Sequence, residues 1–393
     1  MSRHSSQRAV ITGIGAITPF AVGWPEIHQA ISGQAPRYEA WNPDLDPPFE
    51  SARLGLVKHY PREKYFTDRQ LRLMDKAMSL TSVAAAFAME DAGILVDDAV
   101  ADSDNVATLL ASSRGEAPSL YRFGSPLFKP GVGSVNPAHF PMIARNVACG
   151  QVAIRFRLRG WSSTIASGDA SGAHALARAA EMITLGRAPA VLVGAYEVLS
   201  QISLHQIKAR WRKNEMADVV ADSTANDYVP VEGACFFVLE SQERALARGK
   251  KPYATIDGAT QGYRLDDTAD GWSRVFERHL ANLPQGRAVH AASRTIHLSG
   301  AAGATRVPTP SQRREQALAE VVARACEGPA THYSRQAFGD AGSLTAMYGV
   351  ASAAQALSRR HQAADGRPDP APERAIVSSL TERGAYSFLS MSA

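Results

Sequence analysis

The sequence carries an internal echo that narrows the choice of fold. Gly168-Asp169-Ala170-Ser171-Gly172 opens a long Ala-rich stretch that leads into the run APAVLVGAYE. Later, Gly339-Asp340-Ala341-Gly342-Ser343 opens a second Ala-rich stretch, followed by a Pro-rich segment and the run RAIVSSL. Both units read as glycine turn, Asp, helix, strand. A fresh strand signal at YATIDG falls between them. Together they predict two similar halves, residues 1–250 and 251–393, joined near 245–252.

The rest of the chain supports an α/β architecture. RAVITGIG, NVATLLAS, APAVLVGAYE, GACFFVLES, YATIDGAT and RAIVSSL are short, β-branched and apolar, and predict buried strands. MDKAMSLTSVAAAFAMEDAG, SGAHALARAAEMITLGR, REQALAEVVARA and AMYGVASAAQALSRRH predict helices packed on that sheet. Strands without polar alternation need cover on both faces, which helices supply. Loops are expected at 38–50, 122–137, 259–275 and 361–374.

Composition excludes several classes. The 393 residues are 45% hydrophobic and 20% charged, an ordinary globular balance. A net charge of +4 is too weak and dispersed to argue for nucleic acid, but suits an acidic protein partner. Cys149, Cys235 and Cys326 show no CxxC or Cys/His spacing, so neither metal nor cofactor is expected, and a reducing cytoplasm fits. The basic start and apolar run that follows it are interrupted by Gly13, Gly15 and Pro19, which predicts strand and turn rather than a signal peptide. No apolar stretch approaches the roughly 20 residues of a membrane span.

From about residue 8 onward the chain resembles the β-ketoacyl synthase family. AVITGIGAITPFAVGWPEIHQAISG is similar to that family's opening strand and helix. MDKAMSLTSVAAAFAMEDAGI is similar to its first long helix. NPAHFPMIARNVACGQVAIRFRLRGWSSTIASGDASGAHAL is similar to the approach to its nucleophile, and NDYVPVEGACFFVLESQERALARGKKPYATIDG to its crossover between halves. The resemblance implies a thiolase-like five-layered αβαβα fold made of two similar halves.

The resemblance also locates the chemistry, and the chemistry is missing. A condensing synthase uses a cysteine thiolate at a helix N-terminus, and two histidines for decarboxylation and enolate stabilisation. Asp169 stands at the cysteine position. An acylated carboxylate is a mixed anhydride, and its charge repels a malonyl carboxylate. The plain alternative is that Asp169 caps its helix. Gly303 aligns with the first histidine, and His297 lies upstream, out of register. Asp340 stands for the second histidine and Arg335 for the accompanying lysine; an ion pair between them, or a helix cap by Asp340, is expected. The family's glycine-rich loop corresponds to 378–386, where its gating aromatic is replaced by Glu382.

What the resemblance implies is a catalytically silent subunit, like the chain-length factors of type II polyketide systems. It would form a heterodimer with an active ketosynthase and shape a shared acyl tunnel, on a branch such as the aryl polyene systems. Ser113, Arg114, Glu116, His139, Phe140 and Met142 are the expected tunnel and interface residues, with Arg114 paired to Glu116 or another carboxylate, unless it faces solvent on a shifted loop. An acyl carrier protein docked through the complex would meet Arg69, Arg72, Lys76, Lys208, Arg210, Arg212 and Lys213, unless these are only solvated helix faces. Two other readings stay open: an enzyme using Asp169 or Asp340 as a base on an acyl thioester, and a stand-alone scaffold homodimer.

Overall fold

The computed structural model describes residues 7–32, 38–40, 53–128, 131–213, 229–266, 268–283, 295–298, 310–325, 330–360, 373–381 and 384–393. Ten strands build the main sheet. The first five are β1 (Ala9–Ile17), β2 (Val106–Ala111), β3 (Ser162–Ile165), β4 (Ala190–Glu197) and β5 (Gly233–Ser241). The second five are β6 (Ala254–Tyr263), β7 (Thr295–Leu298), β8 (Ala330–Tyr333), β9 (Arg374–Leu380) and β10 (Ala385–Ser392).

The first set lies in the order β3-β2-β4-β5-β1 and the second in the order β8-β7-β9-β10-β6. In each set the third strand in sequence is at the outside, followed by the second, fourth, fifth and first. In each, the fifth strand runs antiparallel to both neighbours while the outer three are parallel. The wiring is therefore duplicated, as the echo suggests. The two sets join where β1 meets β6, with Ala9 opposite Ile256 and Ile11 opposite Ala254.

Among the described residues the longer helices around the sheet are α1 (Lys76–Ala92), α2 (Ala117–Phe128), α3 (Val147–Phe156), α4 (Ser171–Thr184), α5 (Gln201–Lys213), α6 (Ala269–Ala281), α7 (Pro310–Ala325) and α8 (Thr345–Arg360). Three apolar clusters define the layers. One joins α1 and α3 to the first strand set. The central one holds α4 and α8 between the two sets. The third joins α6 and α7 to β9 and β10. The result is the five-layered αβαβα arrangement of thiolase-like proteins.

Close approach explains the small residues. A Cβ on Gly13 would lie 2.1 Å from the Ala88 carbonyl oxygen, and one on Gly15 2.2 Å from that of Ala84. The glycines in the opening run thus let β1 lie directly on the Ala face of α1. Asp75 caps α1 through the Met78 amide, and Gly93 ends it with φ 71°.

Two expected loops are partly regular. In 122–137, α2 continues to Phe128 with Pro126 inside it, and 3-10 turns follow at Val132–Ser134 and Pro137–Ile143. Pro126 removes one i→i−4 bond and its ring crowds the carbonyl of residue 122, and the helix ends two residues later. In 259–275, β6 extends to Tyr263 and α6 starts at Ala269 behind a Thr268 cap. Gly258, inside the expected strand, marks an irregularity in the β6–β10 ladder. Of 38–50, Glu39 and Ala40 pair with Leu54 and Arg53. Residues 41–50 and 361–372 lie outside the described residues.

Candidate functional site

The two echoed turns meet at the centre of the molecule. A Cβ on Gly172, in the first turn of α4, would lie 2.2 Å from the Ser343 carbonyl oxygen. Gly342 has φ 54° and no side chain. The point its Cβ would occupy is 2.8 Å from Arg114 Nη2, 3.1 Å from Ser113 Oγ and 3.4 Å from Asp169 Oδ1. Asp169, Arg114 and Ser113 therefore converge on the second glycine turn.

Asp169 does not cap α4. The N-cap position is Ala170, and no side chain caps the helix there. The reason is the turn itself: Gly168 has φ 69°, its carbonyl accepts from both Ser171 N and Ser171 Oγ, and Asp169 is turned toward Gly342.

Arg114 does pair with a carboxylate, but not with Glu116. Its Nε lies 3.9 Å from Oε2 of Glu197, while Glu116 pairs with Arg145 at 2.8 Å. Glu197 closes β4 and is wholly buried. Its Oε1 accepts from Ser113 N and Ser113 Oγ at 2.7 Å each, from Ser343 Oγ at 2.5 Å and from Ser343 N at 3.3 Å. Its Oε2 accepts from Arg114 N at 3.2 Å. One carboxylate thus ties the loop after β2 to the second glycine turn. Sequence reading passes over Glu197. The only signal is an acid ending an apolar strand, and its donors come from distant segments.

Asp340 is nearly buried and lies 3.7 Å from Arg335, the expected ion pair. Its Oδ1 also accepts from Gly342 N at 3.4 Å, while its backbone bridges to Val229 and Val231. Asp340 is thus a hydrogen-bond acceptor held against a guanidinium. His297 is buried on β7 with its ring stacked 4.9 Å from His332. Burial, reinforced by His332, pushes its pKa down to about 3. It packs beside Gly349 of α8. Gly303 and Glu382 lie outside the described residues. The described flanks of the expected loop 378–386 are strand: Ser378–Leu380 end β9, and Ala385 and Tyr386 begin β10.

His174 is a second residue that sequence reading misses. Its Nε2–H donates to the Tyr386 carbonyl at 3.3 Å, and its Nδ1 accepts from Ser167 Oγ at 2.9 Å. Burial lowers its pKa, partly opposed by the bond to Tyr386, so it is neutral at pH 7. It fastens α4 to β10.

Three of the expected interface residues, His139, Phe140 and Met142, share the 3-10 segment Pro137–Ile143. Phe140 is 61% exposed, with its ring 5.7 Å from Phe123 of α2. His139 and Met142 flank it, half-buried, in the same 3-10 segment. Phe128 and Val132 are 88% and 79% exposed nearby in the chain. β3, at one end of the sheet, is exposed or half-buried along its length.

The basic candidates divide. Arg69 and Arg72 are exposed around the short helix Asp68–Leu71. Lys76 instead pairs with the buried carboxylate of Glu232. It borders a cavity of about 360 Å³ that Lys58, His59 and Arg62 also line. Lys208, Arg210, Arg212 and Lys213 fall on α5, their side chains outside the described residues. Among the described residues no group of three or more His, Cys, Asp or Glu could hold a metal, and no helix is long and apolar enough to cross a membrane.

A duplicated five-layer fold with its centre at two glycine turns defines a thiolase-like condensing-enzyme scaffold. Residues 6–245, more than half of the chain, match the family model of the β-ketoacyl synthase N-terminal domain, so the chain belongs to the β-ketoacyl synthase family. It is 28% identical over 267 residues to 3-oxoacyl-[acyl-carrier-protein] synthase 2 of Vibrio cholerae serotype O1, covering 65% of this chain and 63% of that protein. It is 27% identical over 268 residues to the oxytetracycline polyketide putative beta-ketoacyl synthase 1 of Streptomyces rimosus, covering 65% and 62%. The match thus spans just under two thirds of either relative's length.

Solved structures extend the likeness to the whole chain. The ishigamide ketosynthase/chain length factor superposes with a TM-score of 0.75 at 22% identity, over 98% of this chain and 99% of that one. A ketosynthase of a type II polyketide system, solved with its acyl-carrier protein, gives 0.74 at 20% identity, over 99% of each chain. At such identities the likeness shows the fold alone.

Proposed function

We propose that this protein is a non-catalytic, chain-length-factor-like subunit that pairs with an active β-ketoacyl synthase in type II polyketide or polyene synthesis. One observation carries the reading. At the positions that match the nucleophile and the second histidine stand two carboxylates, Asp169 and Asp340, brought together around Gly342 with Arg114 and Arg335 beside them. Neither acid forms a thioester, and neither donates to an enolate. Asp340 is held by Arg335, which opposes its use as a base. The described strands and helices around them form the duplicated fold.

The pairing has structural support. Phe128, Val132 and Phe140 leave apolar surface in water, and among the described residues no strand pairs with the outer edge of β3. Such features are stable when covered by a partner. Arg114, fixed by Glu197, puts a bulky charged group on the floor where a catalytic relative would leave room for a chain. Contact with an acyl carrier protein runs through the complex, and the setting is cytoplasmic. Co-expression with a ketosynthase tests this: a stable heterodimer, condensing only when both chains are present, supports the reading. A soluble homodimer that ignores the ketosynthase, or a chain that turns over acyl thioesters alone, overturns it.

A further inference from the structure

A serine and a histidine on either side of the first glycine turn are arranged as a nucleophile and its base. Ser167 Oγ lies 2.9 Å from Nδ1 of His174. The Tyr386 carbonyl, 3.3 Å from Nε2, can only accept, so it fixes the ring proton on Nε2. That tautomer leaves the Nδ1 lone pair facing the serine hydroxyl, which donates to it. Burial lowers the His174 pKa, so the ring is neutral and able to take a proton at pH 7. The backbone carbonyl orients the base as a carboxylate does in a hydrolase triad. Both members are uncharged, so the arrangement depends on no unpaired charge.

The serine is also held in place and open to solvent. Ser171 Oγ accepts from Ser167 N at 2.8 Å and donates to the Gly168 carbonyl, so one side chain braces the turn from within. Ser167 and Gly168 are both exposed. A Cβ built on Gly168 would meet nothing within 4 Å beyond its chain neighbours, so there is room beside Ser167 Oγ for an incoming carbonyl group.

We propose that Ser167, with His174 as its base, is an acyl-accepting serine that takes one acyl group from an activated donor, a thioester or an aryl ester. With a thioester, the bond from Ser167 Oγ to the carbonyl carbon forms and the carbon–sulfur bond breaks. The hydroxyl proton passes to His174 Nδ1 and from there to the leaving thiolate. The products are a serine ester and a free thiol. Hydrolysis of that ester is the slower step, because water must then expel an alkoxide, a poorer leaving group than a thiolate, and the acylated chain accumulates. The step makes no carbon–carbon bond and does not rest on the subunit role proposed above.

Mass spectrometry of the full-length protein tests this. The probes, at neutral pH, are hexanoyl N-acetylcysteamine thioester and 4-nitrophenyl hexanoate. Each should add a single hexanoyl group per chain, mapped to Ser167 in peptide digests, and release of 4-nitrophenol should level off near one equivalent. Ser167→Ala should abolish the adduct. His174→Gln keeps an amide N–H for the Tyr386 carbonyl but removes the base, and should slow acylation by about 100-fold or more. Where that variant does not fold, Ser167→Cys serves: beside His174 the new thiol should react with iodoacetamide at least about tenfold faster than free cysteine. No adduct, an adduct on another residue, acylation that His174→Gln leaves at the parent rate, or a new thiol no faster than free cysteine overturns the proposal. Steady release of 4-nitrophenol beyond one equivalent, abolished by Ser167→Ala, overturns the accumulating ester. Formation of the ketosynthase complex is measured separately, so failure of the subunit role is seen independently.

Discussion

Glu197 and Arg114 form a buried pair, 3.9 Å apart, at the point where the first and second halves of the chain touch. Glu197 is fully buried and also holds Ser113 and Ser343, which come from different halves. Removing one member of a buried, hydrogen-bonded charge cluster leaves the others unsatisfied. Glu197→Leu is expected to lower unfolding free energy by about 3–5 kcal/mol. Glu197→Gln, which keeps one acceptor and the shape, should lose clearly less. Urea unfolding of both variants checks the order; equal losses would mean that the carboxylate charge is immaterial.

Condensation chemistry should be absent from the isolated chain and should not return with the nucleophile. Asp169→Cys would place a thiol at the start of α4, where the helix dipole favours thiolate. Asp340, expected at the second histidine position, would still stand against Arg335. The expected outcome is some acyl loading on the new cysteine in intact-mass spectra, with no β-ketoacyl product and no malonyl decarboxylation. Product formation by this single variant would show that the histidine positions are dispensable.

The buried His297 predicts acid sensitivity. Its folded-state pKa, about 3, lies below the usual value of 6.5 because of burial and the neighbouring His332. Between those values the unfolded chain binds a proton that the folded chain refuses. Stability from this group is therefore whole above about pH 6.5 and falls as pH drops toward 3, by up to about 1.4 kcal/mol per pH unit. His174 and His332, whose pKa values are also lowered by burial, add in the same direction. His297→Leu should flatten the stability–pH curve between pH 6 and 4. A curve of unchanged slope would refute the assignment.

Legibility in the sequence followed the physics of each element. The long apolar strands and the Ala-rich helices were readable because continuous burial leaves a continuous pattern, and the repeated glycine turns exposed the duplication. Ser162–Ile165, Thr295–Leu298 and Ala330–Tyr333 were not, being four-residue, partly polar strands at or next to the sheet ends. Asp169, Arg114 and Asp340 were readable as candidate site residues because the family pattern marks their positions. Glu197 and His174 were not, since their roles come from partners far away in sequence, Ser343 and Tyr386. The same limit misdirected the Asp169 cap. For Arg114, where Glu116 and another carboxylate were both open, tertiary contacts select the distant Glu197.

Gly172 should tolerate no side chain. Its Cβ would lie 2.2 Å from the Ser343 carbonyl oxygen, and backbone cannot yield as a side-chain tip does. Gly172→Ala normally favours a helix by up to about 1 kcal/mol. Here overpacking is expected to outweigh that gain, with a net loss of about 1–3 kcal/mol. A thermal melt at or above that of the parent protein would show that the two turns can separate.

The last prediction concerns the proposed partner surface. Phe140 is mostly exposed, yet rests its ring 5.7 Å from Phe123, so it is held in place without being buried. An aromatic side chain presented in this way loses little further entropy when a partner covers it, and anchors of this kind dominate binding energy. Phe140→Ala should therefore weaken the ketosynthase complex by about 2 kcal/mol, roughly thirtyfold in Kd. It should leave the fold of the isolated chain intact, because the ring contributes little to the core. Met142 is half-buried in the same segment and carries less exposed surface. Met142→Ala should act mainly on product length, since a flexible thioether at a tunnel wall adapts to chain volume. Arg114→Ala removes the plug and should lengthen the product distribution while the complex persists. Co-purification yield and product mass from the co-expressed pair separate the three effects. If all three variants leave both readouts unchanged, this surface neither binds the partner nor ends the tunnel.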